Sequence, residues 1–190
     1  MLDTQTEADI TLVQQIAGGN RDALGQLYDR YARPLYATAV RILSDAAEAE
    51  DIVHDVFIAL WTKASDFDPQ RGSPLAWAIT LTRNRAIDRI RMRKRHTEIL
   101  DQSAITELMP APSARPGNSS EQLWIKEKAA AVRTAVDELA PEQRSALELA
   151  FFSGLTQQEI ALKLQEPLGT IKARIRRGLL KLRERLAHRL

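Results

Sequence analysis

The feature that most constrains this chain is a pair of adjacent helical patterns at 156–186, TQQEIALKLQEPLGTIKARIRRGLLKLRERL. Thr156 followed by Glu159 is typical of a capping box, so we expect a helix to begin there. Pro167 cannot continue that helix but can open another, which predicts a tight turn and a second helix from about Leu168. A short helix, a turn and a basic helix predict a helix-turn-helix, whose second helix enters the major groove of DNA.

The second of these helices places its apolar and basic residues on opposite sides. The predicted apolar stripe is Leu168, Ile171, Ile175, Leu179, Leu182 and Leu186. The opposite side carries Lys172, Ala173, Arg176 and Arg177, after Gly169 and Thr170 at the start of the helix. An ordinary amphipathic hairpin with a solvated basic face has the same pattern, so both interpretations stay open for this stretch alone.

The composition excludes several classes of protein. The chain has 190 residues and no cysteine, which excludes disulfides, thiolate zinc sites and thiol catalysis. Its three histidines are far apart in sequence, and we find no nucleophile–base set or phosphate loop. We therefore expect no metal, no cofactor and no enzymatic activity. No apolar run reaches the length of a membrane span and the N-terminus is not a signal peptide, so we expect a cytoplasmic protein without membrane insertion.

The charge is unevenly distributed, although the net charge is only +2. Residues 81–96 contain seven lysines and arginines against one acid, and residues 170–190 contain eight against one. Residues 45–68 contain seven acids against one lysine. Two separated basic segments predict two contacts with a polyanion, and the acidic segment predicts a protein partner.

Helical periodicity predicts an all-α fold of two small helical domains. We place the first domain at 1–96, a flexible linker rich in proline, glycine and serine at 97–120, and the second domain, with the helix-turn-helix, at 121–190. In the first domain, Asn20 is expected to cap a long helix that Pro34 kinks or breaks. Asp45 and Glu48 are expected to form a second capping box.

Three segments together resemble a known family. They are DAAEAEDIVHDVFIALW, FDPQRGSPLAWAITLTRNRAIDRIR and, beyond the linker, LAPEQRSALELAFFSGLTQQEIALKLQEPLGTIKARI. Their order and spacing resemble the extracytoplasmic-function (ECF) sigma factors of bacterial RNA polymerase over almost the whole chain outside the linker. The last segment is most similar to the subgroup with a GTIK-type recognition helix. The resemblance implies a first domain that binds polymerase and opens the promoter −10 element, and a second that reads the −35 element.

The resemblance also implies which residues carry these contacts. The polymerase-binding residues would be Asp51, His54, Asp55 and Phe57, with His54 where glutamine is common. The −10 residues would be Phe67 and Arg71 on a base-capturing loop, with Thr80, Asn84 and Arg91 on the following helix. The −35 residues would be Thr170, Lys172, Ala173, Arg174, Arg176 and Arg177, with Arg174 facing a phosphate. For Phe57 and Trp77 a place in the core is the alternative, and it is favoured for Trp77.

The implied partners are core RNA polymerase, promoter DNA and an anti-sigma factor, with a monomeric chain when free. The implied function is promoter-specific transcription initiation. The alternative is a stand-alone helix-turn-helix regulator, which would bind palindromic DNA as a dimer without polymerase. The acidic motif and the second basic segment argue against that alternative.

Overall fold

The structure is a computed structural model that describes the backbone of residues 4–100 and 120–187, and the side chains of residues 4–95 and 125–186. Within these ranges the chain is helical, contains no strand and forms two compact units. The predicted all-α class with two helical domains is confirmed. The predicted linker lies largely at 101–119, outside the described residues, and the helices on its two sides extend to Leu100 and begin at Ser120.

The first unit contains four α-helices. They are α1 (Thr4–Ala17), α2 (Arg21–Leu43), α3 (Ala46–Thr62) and α4 (Pro74–Leu100), with single-turn 3-10 helices at Ala64–Asp66 and Pro69–Arg71 between α3 and α4. The central helix is α2, which packs against the other three helices. Leu27, Tyr31, Leu35 and Ala39 are fully buried on α2 because a spacing of four residues keeps them on one face. Pro34 lies inside α2, so the helix continues past it; of the two predicted alternatives the break is wrong, and the kink stays a prediction.

Two caps in this unit were predicted, and one differs in its chemistry. The Asn20 carboxamide oxygen accepts from the backbone N–H of Asp22 at 2.9 Å, so the cap of α2 is confirmed. Asp45 accepts from the backbone N–H of Glu48 at 2.9 Å, but the Glu48 carboxylate is held by Arg93 instead of returning to Asp45. The reciprocal half of this capping box is therefore wrong, because an arginine of α4 binds that carboxylate.

The second unit also contains four helices. They are α5 (Ser120–Asp137), α6 (Pro141–Phe152), α7 (Gln157–Leu164) and α8 (Leu168–Ala187). Its buried centre is formed by Ala146, Ile160, Ile171 and Ile175, surrounded by leucines of α6, α7 and the connecting loop. This cluster joins the two helices of the predicted helix-turn-helix to α6.

The buried line on α8 differs from the predicted stripe after Ile175. It continues through Gly178, where an added Cβ would lie 2.7 Å from Leu147 Cδ1 of α6. Glycine therefore lets α6 and α8 approach closely at this point. Leu179, one residue further and about 100° around the helix, is 53% exposed, so its predicted place in the core is wrong.

Candidate functional site

The outer face of α3 carries three of the predicted polymerase-binding residues. Asp51 and His54 are exposed and Asp55 is half-buried, one turn apart on the same side of the helix. Ile58 continues this line by one more turn and is 50% exposed. Sequence reasoning missed Ile58, although its spacing of three, four and seven residues from the others would have placed it on this face. Together these four residues form what we call the α3 outer face.

Phe57 lies at the edge of the core instead. Its side chain is only 6% exposed, whereas Tyr28 of α2, which packs against it, is 50% exposed. The centroids of the two rings are 4.7 Å apart. Phe57 therefore supports an aromatic surface whose outer member is Tyr28, a residue that sequence reasoning missed because the pairing joins two helices.

Acids of α3 and arginines of α4 form a ladder of ion pairs. Arg85 lies 3.4 Å from Asp55, and Arg89 lies 3.9 Å from Glu48. Arg93 contacts Glu48 directly and lies 3.8 Å from Asp45. The three arginines are four residues apart, so they share one side of α4. Much of the acidic and basic charge noted in the sequence is thus paired within the unit.

Two acids of α3, Glu50 and Asp51, are exposed outside this ladder, and of the two Asp51 lies on the α3 outer face. Its carboxylate is exposed and makes no ion pair or hydrogen bond with any residue that the structure describes. The α3 outer face is therefore one exposed carboxylate and one imidazole beside an apolar side chain, which is a suitable contact for a basic protein surface.

The outer face of α4 carries three of the predicted −10 residues. Thr80, Asn84 and Arg91 are all exposed, on the side of α4 away from the buried Ala78 and Ala86. The Thr80 hydroxyl donates to the backbone carbonyl of Ala76 at 2.8 Å, which leaves its oxygen able to accept from a ligand. We call Thr80, Asn84 and Arg91 the α4 outer face.

Arg83 is a second cation beside this face. It is half-buried, and its Nη1 donates to Asn84 Oδ1 at 3.1 Å. Burial, and secondarily the charge of Arg91, lower the pKa of the Arg83 guanidinium. Sequence reasoning missed Arg83, since a contact between successive helical residues is not expected from helical spacing.

The predicted base-capturing loop lies between α3 and α4. Arg71 is highly exposed, with Nε 3.4 Å from Asp68 Oδ2. Phe67 is half-buried against Trp77 of α4, with ring centroids 5.3 Å apart. Trp77 is itself half-buried, so it lies neither fully in the core nor fully on the surface. Its ring packs against the Phe67 ring and supports it.

In the second unit, α7 and α8 have the geometry of a helix-turn-helix. The Thr156 hydroxyl accepts from Glu159 N at 3.2 Å, and the Glu159 carboxylate accepts from Thr156 N at 2.7 Å, so the predicted capping box is confirmed. Gln165 ends α7 in the left-handed conformation with φ +53°, a conformation that favours glycine. Its N–H bonds to carbonyls of α7, and α8 begins three residues later.

The exposed face of α8 unites most of the predicted −35 residues. Gly169, Lys172, Ala173, Arg176 and Arg177 line one shallow depression, together with Leu180 further along the helix. The three cations are exposed, and Ala173 is half-buried between them. An added Cβ at Gly169 would meet nothing within 4 Å, so the fold does not require glycine there. We call these six residues the α8 reading face.

Two predicted −35 residues lie beside this face. Thr170 is half-buried in the first turn of α8. Arg174 donates from Nη2 to Glu166 Oε1 at 3.0 Å, which ties α8 to the turn. Arg174 therefore has a structural partner, and a phosphate contact would have to share its guanidinium.

Among the described residues no group of acidic or histidine side chains could hold a metal ion. The same part of the chain holds no helix that is long and apolar enough to cross a membrane.

The two units define a class of protein. The sigma-70 region 2 family matches residues 27–96, and the sigma-70 region 4 family matches residues 129–182. A stand-alone helix-turn-helix regulator has no need of a sigma-70 region 2, so the match to the first unit argues against that alternative. Full-length relatives then narrow the class: the chain is 33% identical over 177 residues to the ECF RNA polymerase sigma factor SigK of Mycobacterium ulcerans, covering 90% of both chains. The chain belongs to the family of ECF sigma factors, which bind core RNA polymerase and direct promoter-specific transcription initiation.

A second full-length relative agrees with this membership. A second SigK, from Mycobacterium sp. strain KMS, is 30% identical over 174 residues, covering 92% of this chain and 88% of that one. Among solved structures, SigE of Rhodobacter sphaeroides in complex with the anti-sigma ChrR is 29% identical with a TM-score of 0.48, covering 93% of this chain and 96% of that one.

Proposed function

We propose that three surfaces divide the work of this sigma factor. The α3 outer face contacts core polymerase, the α4 outer face and the loop bearing Phe67 and Arg71 engage the −10 element, and the α8 reading face engages the −35 element. One observation carries the proposal. The implied polar residues that lie outside the ion pairs between α3 and α4 are all exposed, and they fall on one face of each helix: Asp51 and His54 on α3, and Thr80, Asn84 and Arg91 on α4.

The polymerase contact rests on Asp51, His54 and Ile58, with Tyr28 on the aromatic surface beside them. An exposed carboxylate next to apolar side chains suits a protein partner, because the apolar part supplies affinity and the charge supplies orientation. Asp55 belongs to the same face, but its partner Arg85 gives it a second role in joining α3 to α4. Phe57 acts by supporting Tyr28 from the core.

The −10 contact rests on polar groups able to meet a base and on cations able to meet phosphates. Thr80 and Asn84 can hydrogen-bond to base edges, whereas Arg91 and Arg71 suit phosphate oxygens. Phe67, backed by Trp77, offers a ring against which an unstacked base can pack. Capturing such a base offsets the cost of unstacking it, which is a few kcal/mol.

The −35 contact rests on the α8 reading face. A helix presenting exposed Lys172, Arg176 and Arg177 around small Gly169 and Ala173 can lie close to the floor of a major groove. Thr170 and Arg174, beside this face, would contact the flanking phosphates.

The remaining assignments follow from family membership. We expect the free chain to be a monomer without enzymatic activity of its own, and to lie in the cytoplasm, where its polymerase works. An anti-sigma factor is its regulatory partner and would act by covering the α3 outer face, a DNA-binding face or both. The catalytic groups of transcription belong to the polymerase.

The test of the proposal is Asp51→Arg, measured by co-purification with core polymerase and by run-off transcription on genomic fragments. We expect binding and transcription to fall at least about tenfold, because a like charge would face the basic partner. Asp55 is left intact so that Arg85 keeps its partner. The control is Glu7→Arg, the same charge change at an exposed position of α1, which should leave both readouts unchanged. Full polymerase binding by Asp51→Arg would refute the α3 assignment.

A further inference from the structure

The Asn84 side chain on the α4 outer face has one defined orientation. Arg83 Nη1 lies 3.1 Å from the Asn84 side-chain oxygen. A guanidinium has five N–H donors and no acceptor, so the atom that it contacts must be the oxygen of the amide. Rotating the amide by 180° would bring its NH₂ group against another donor. Arg83 therefore holds the Asn84 oxygen and turns the Nδ2 amino group away from itself.

That amino group is available to a ligand. Asn84 is exposed, and among the described residues Nδ2 makes no hydrogen bond. An asparagine that is free to rotate can offer a donor or an acceptor to a base and discriminates poorly between them. An asparagine held by its oxygen has one of the two lone pairs of that oxygen occupied and presents its amino group to the ligand as the free donor.

We propose that Arg83 is a positioning residue that sets base preference at the −10 element by fixing Asn84 as a donor. This inference rests on the proposed contact between the α4 outer face and the separated strand. Exocyclic keto oxygens project from guanine and thymine and accept hydrogen bonds, whereas adenine and cytosine carry amino donors at the same positions. At these exocyclic positions a fixed donor favours the keto group over the amino group, so we expect Asn84 to prefer a keto base.

Two further observations support a fixed position for Arg83. Its side chain is half-buried, so its stem is packed against the helix surface and does not swing freely in solvent. Its guanidinium is close enough to Arg91 for the two charges to interact, and an incoming phosphate relieves their repulsion. Arg83 and Arg91 would thus hold the backbone of the strand while Asn84 reads its base.

The experiment uses holoenzyme and single-stranded non-template oligonucleotides that cover the −10 element of a promoter mapped by run-off transcription. Each position receives in turn two pairs of bases of matched shape: thymine against 5-methylcytosine, and hypoxanthine against adenine. Within each pair one member carries a keto oxygen where the other carries an amino group. Competition binding gives the affinity ratio of the two members at each position.

We expect the wild-type holoenzyme to favour the keto member at least about fivefold at one position, the order of magnitude of one discriminating hydrogen bond. Asn84→Ala should abolish this preference, and Asn84→Asp, which offers only acceptors, should reverse it.

Arg83→Gln, whose amide can both donate and accept, should reduce the ratio below about twofold. Arg83→Lys, which only donates, should keep it. Arg91→Gln removes the same charge from a residue that does not hydrogen-bond to Asn84. It should therefore lower the affinity for the two oligonucleotides of each pair by the same factor and leave their ratio unchanged.

The outcomes separate the inference from the proposed function on which it rests. If Asn84→Ala changes no base ratio at any position, the −10 role of Asn84 is wrong and the inference falls with it. If Asn84→Ala removes a preference that Arg83→Gln leaves intact, the −10 role stands and the positioning role of Arg83 is refuted. A wild-type preference for the amino member at the Asn84-dependent position also overturns the inference.

Discussion

A buried carboxylate joins the first two helices of the first unit. Asp9 on α1 is 1% exposed and accepts hydrogen bonds from Arg30 at 2.6 Å, from the Tyr31 hydroxyl and from Gln5 at 3.3 Å. A charge this deeply buried is tolerated only when it is paired and hydrogen-bonded. Asp9 is an acid in a stretch of α1 whose neighbours pack by apolar contact, and no pattern in the sequence pairs it with residues of α2.

We predict that Asp9→Ala destabilises the first unit by about 3 kcal/mol, because removing the Asp9 carboxylate leaves the Arg30 guanidinium without its buried ion-pair partner. Urea unfolding followed by circular dichroism measures this change. Asp29→Ala is the matched control: the same substitution at an exposed position of α2 should change the free energy of unfolding by less than about 0.5 kcal/mol. Equal stabilities for the two variants would show that the Asp9 network contributes little.

The turn of the helix-turn-helix contains a local conflict between sequence and backbone. Gln165 has φ +53°, and a side chain in that region costs about 1 kcal/mol relative to glycine. Glycine adopts this conformation without that cost, so the Gln165 side chain strains the turn.

Gln165→Gly should therefore stabilise the second unit by about 0.5–1 kcal/mol, with the relief of strain partly offset by the greater freedom of glycine in the unfolded chain. Thermal unfolding of the full chain provides the measurement. Gln158→Gly makes the same chemical change inside α7 and should lower stability by a similar amount. A loss of stability in both variants would mean that the turn is not strained.

At the scale of the helix, the ladder between α3 and α4 changes how the charge of the sequence should be interpreted. A run of acids and a run of bases suggested two separate partners, but Arg85, Arg89 and Arg93 bind acids of α3 within the unit. Partly exposed pairs of this kind stabilise by at most about 1 kcal/mol each, so their main effect is to remove charge from the outer surface. Asp51 on α3 and Arg91 on α4 lie outside this ladder and are exposed, as are Glu50, Asp88, Lys94 and Arg95, so the proposed contacts use only part of the remaining charge.

The sequence predicted what depends on local chemistry and missed what depends on contacts between helices. The Thr156 capping box, the cap at Asn20 and the order of the helices follow from residues within one or two turns. The partner of Glu48, the support of Tyr28 by Phe57 and the exposure of Leu179 depend on which helix packs alongside. Periodicity gives the direction of a side chain on its own helix but does not say what lies opposite.

The α8 reading face yields a prediction about individual side chains. Lys172→Ala and Arg176→Ala should each weaken binding of holoenzyme to a duplex bearing the −35 element by roughly tenfold or more and relax base preference at one position. The structural reason is that both cations are exposed on the same face around Ala173. Binding is measured by competition at fixed salt, since phosphate contacts alone make affinity depend on ionic strength.

The control for this prediction is Arg133→Ala, which removes the same charge from an exposed position of α5 outside the helix-turn-helix. It should leave base preference unchanged. If Lys172→Ala and Arg176→Ala reduce binding to all sequences by the same factor, these side chains contact phosphates only and base reading lies elsewhere.

At the scale of the whole molecule, two compact units in one chain each carry one of the two proposed DNA-reading surfaces. Each unit has its own buried centre, one around Tyr31 and the other around Ile160 and Ile171. The connection between them thus contributes through effective concentration: the second unit binds its element as an intramolecular step once the first is engaged. The sequence places 19 residues between the end of α4 at Leu100 and the start of α5 at Ser120, and covalent linkage over such a length corresponds to an effective concentration in the millimolar range.

We therefore predict that cutting the chain between the two units lowers −35-dependent transcription without harming either unit. A protease site placed between residues 101 and 119 is cleaved in the purified protein, which is then assembled with core polymerase at about 1 μM. Because binding of the second unit becomes bimolecular, its occupancy should fall on the order of a hundredfold or more relative to the tethered state. Transcription should fall to the level of the Lys172→Ala, Arg176→Ala double variant.

The uncut protein carrying the same site is the control, and circular dichroism confirms that helicity survives cleavage. Undiminished transcription after complete cleavage would mean that polymerase holds the second unit by itself, and the tether would then have no energetic role in promoter recognition.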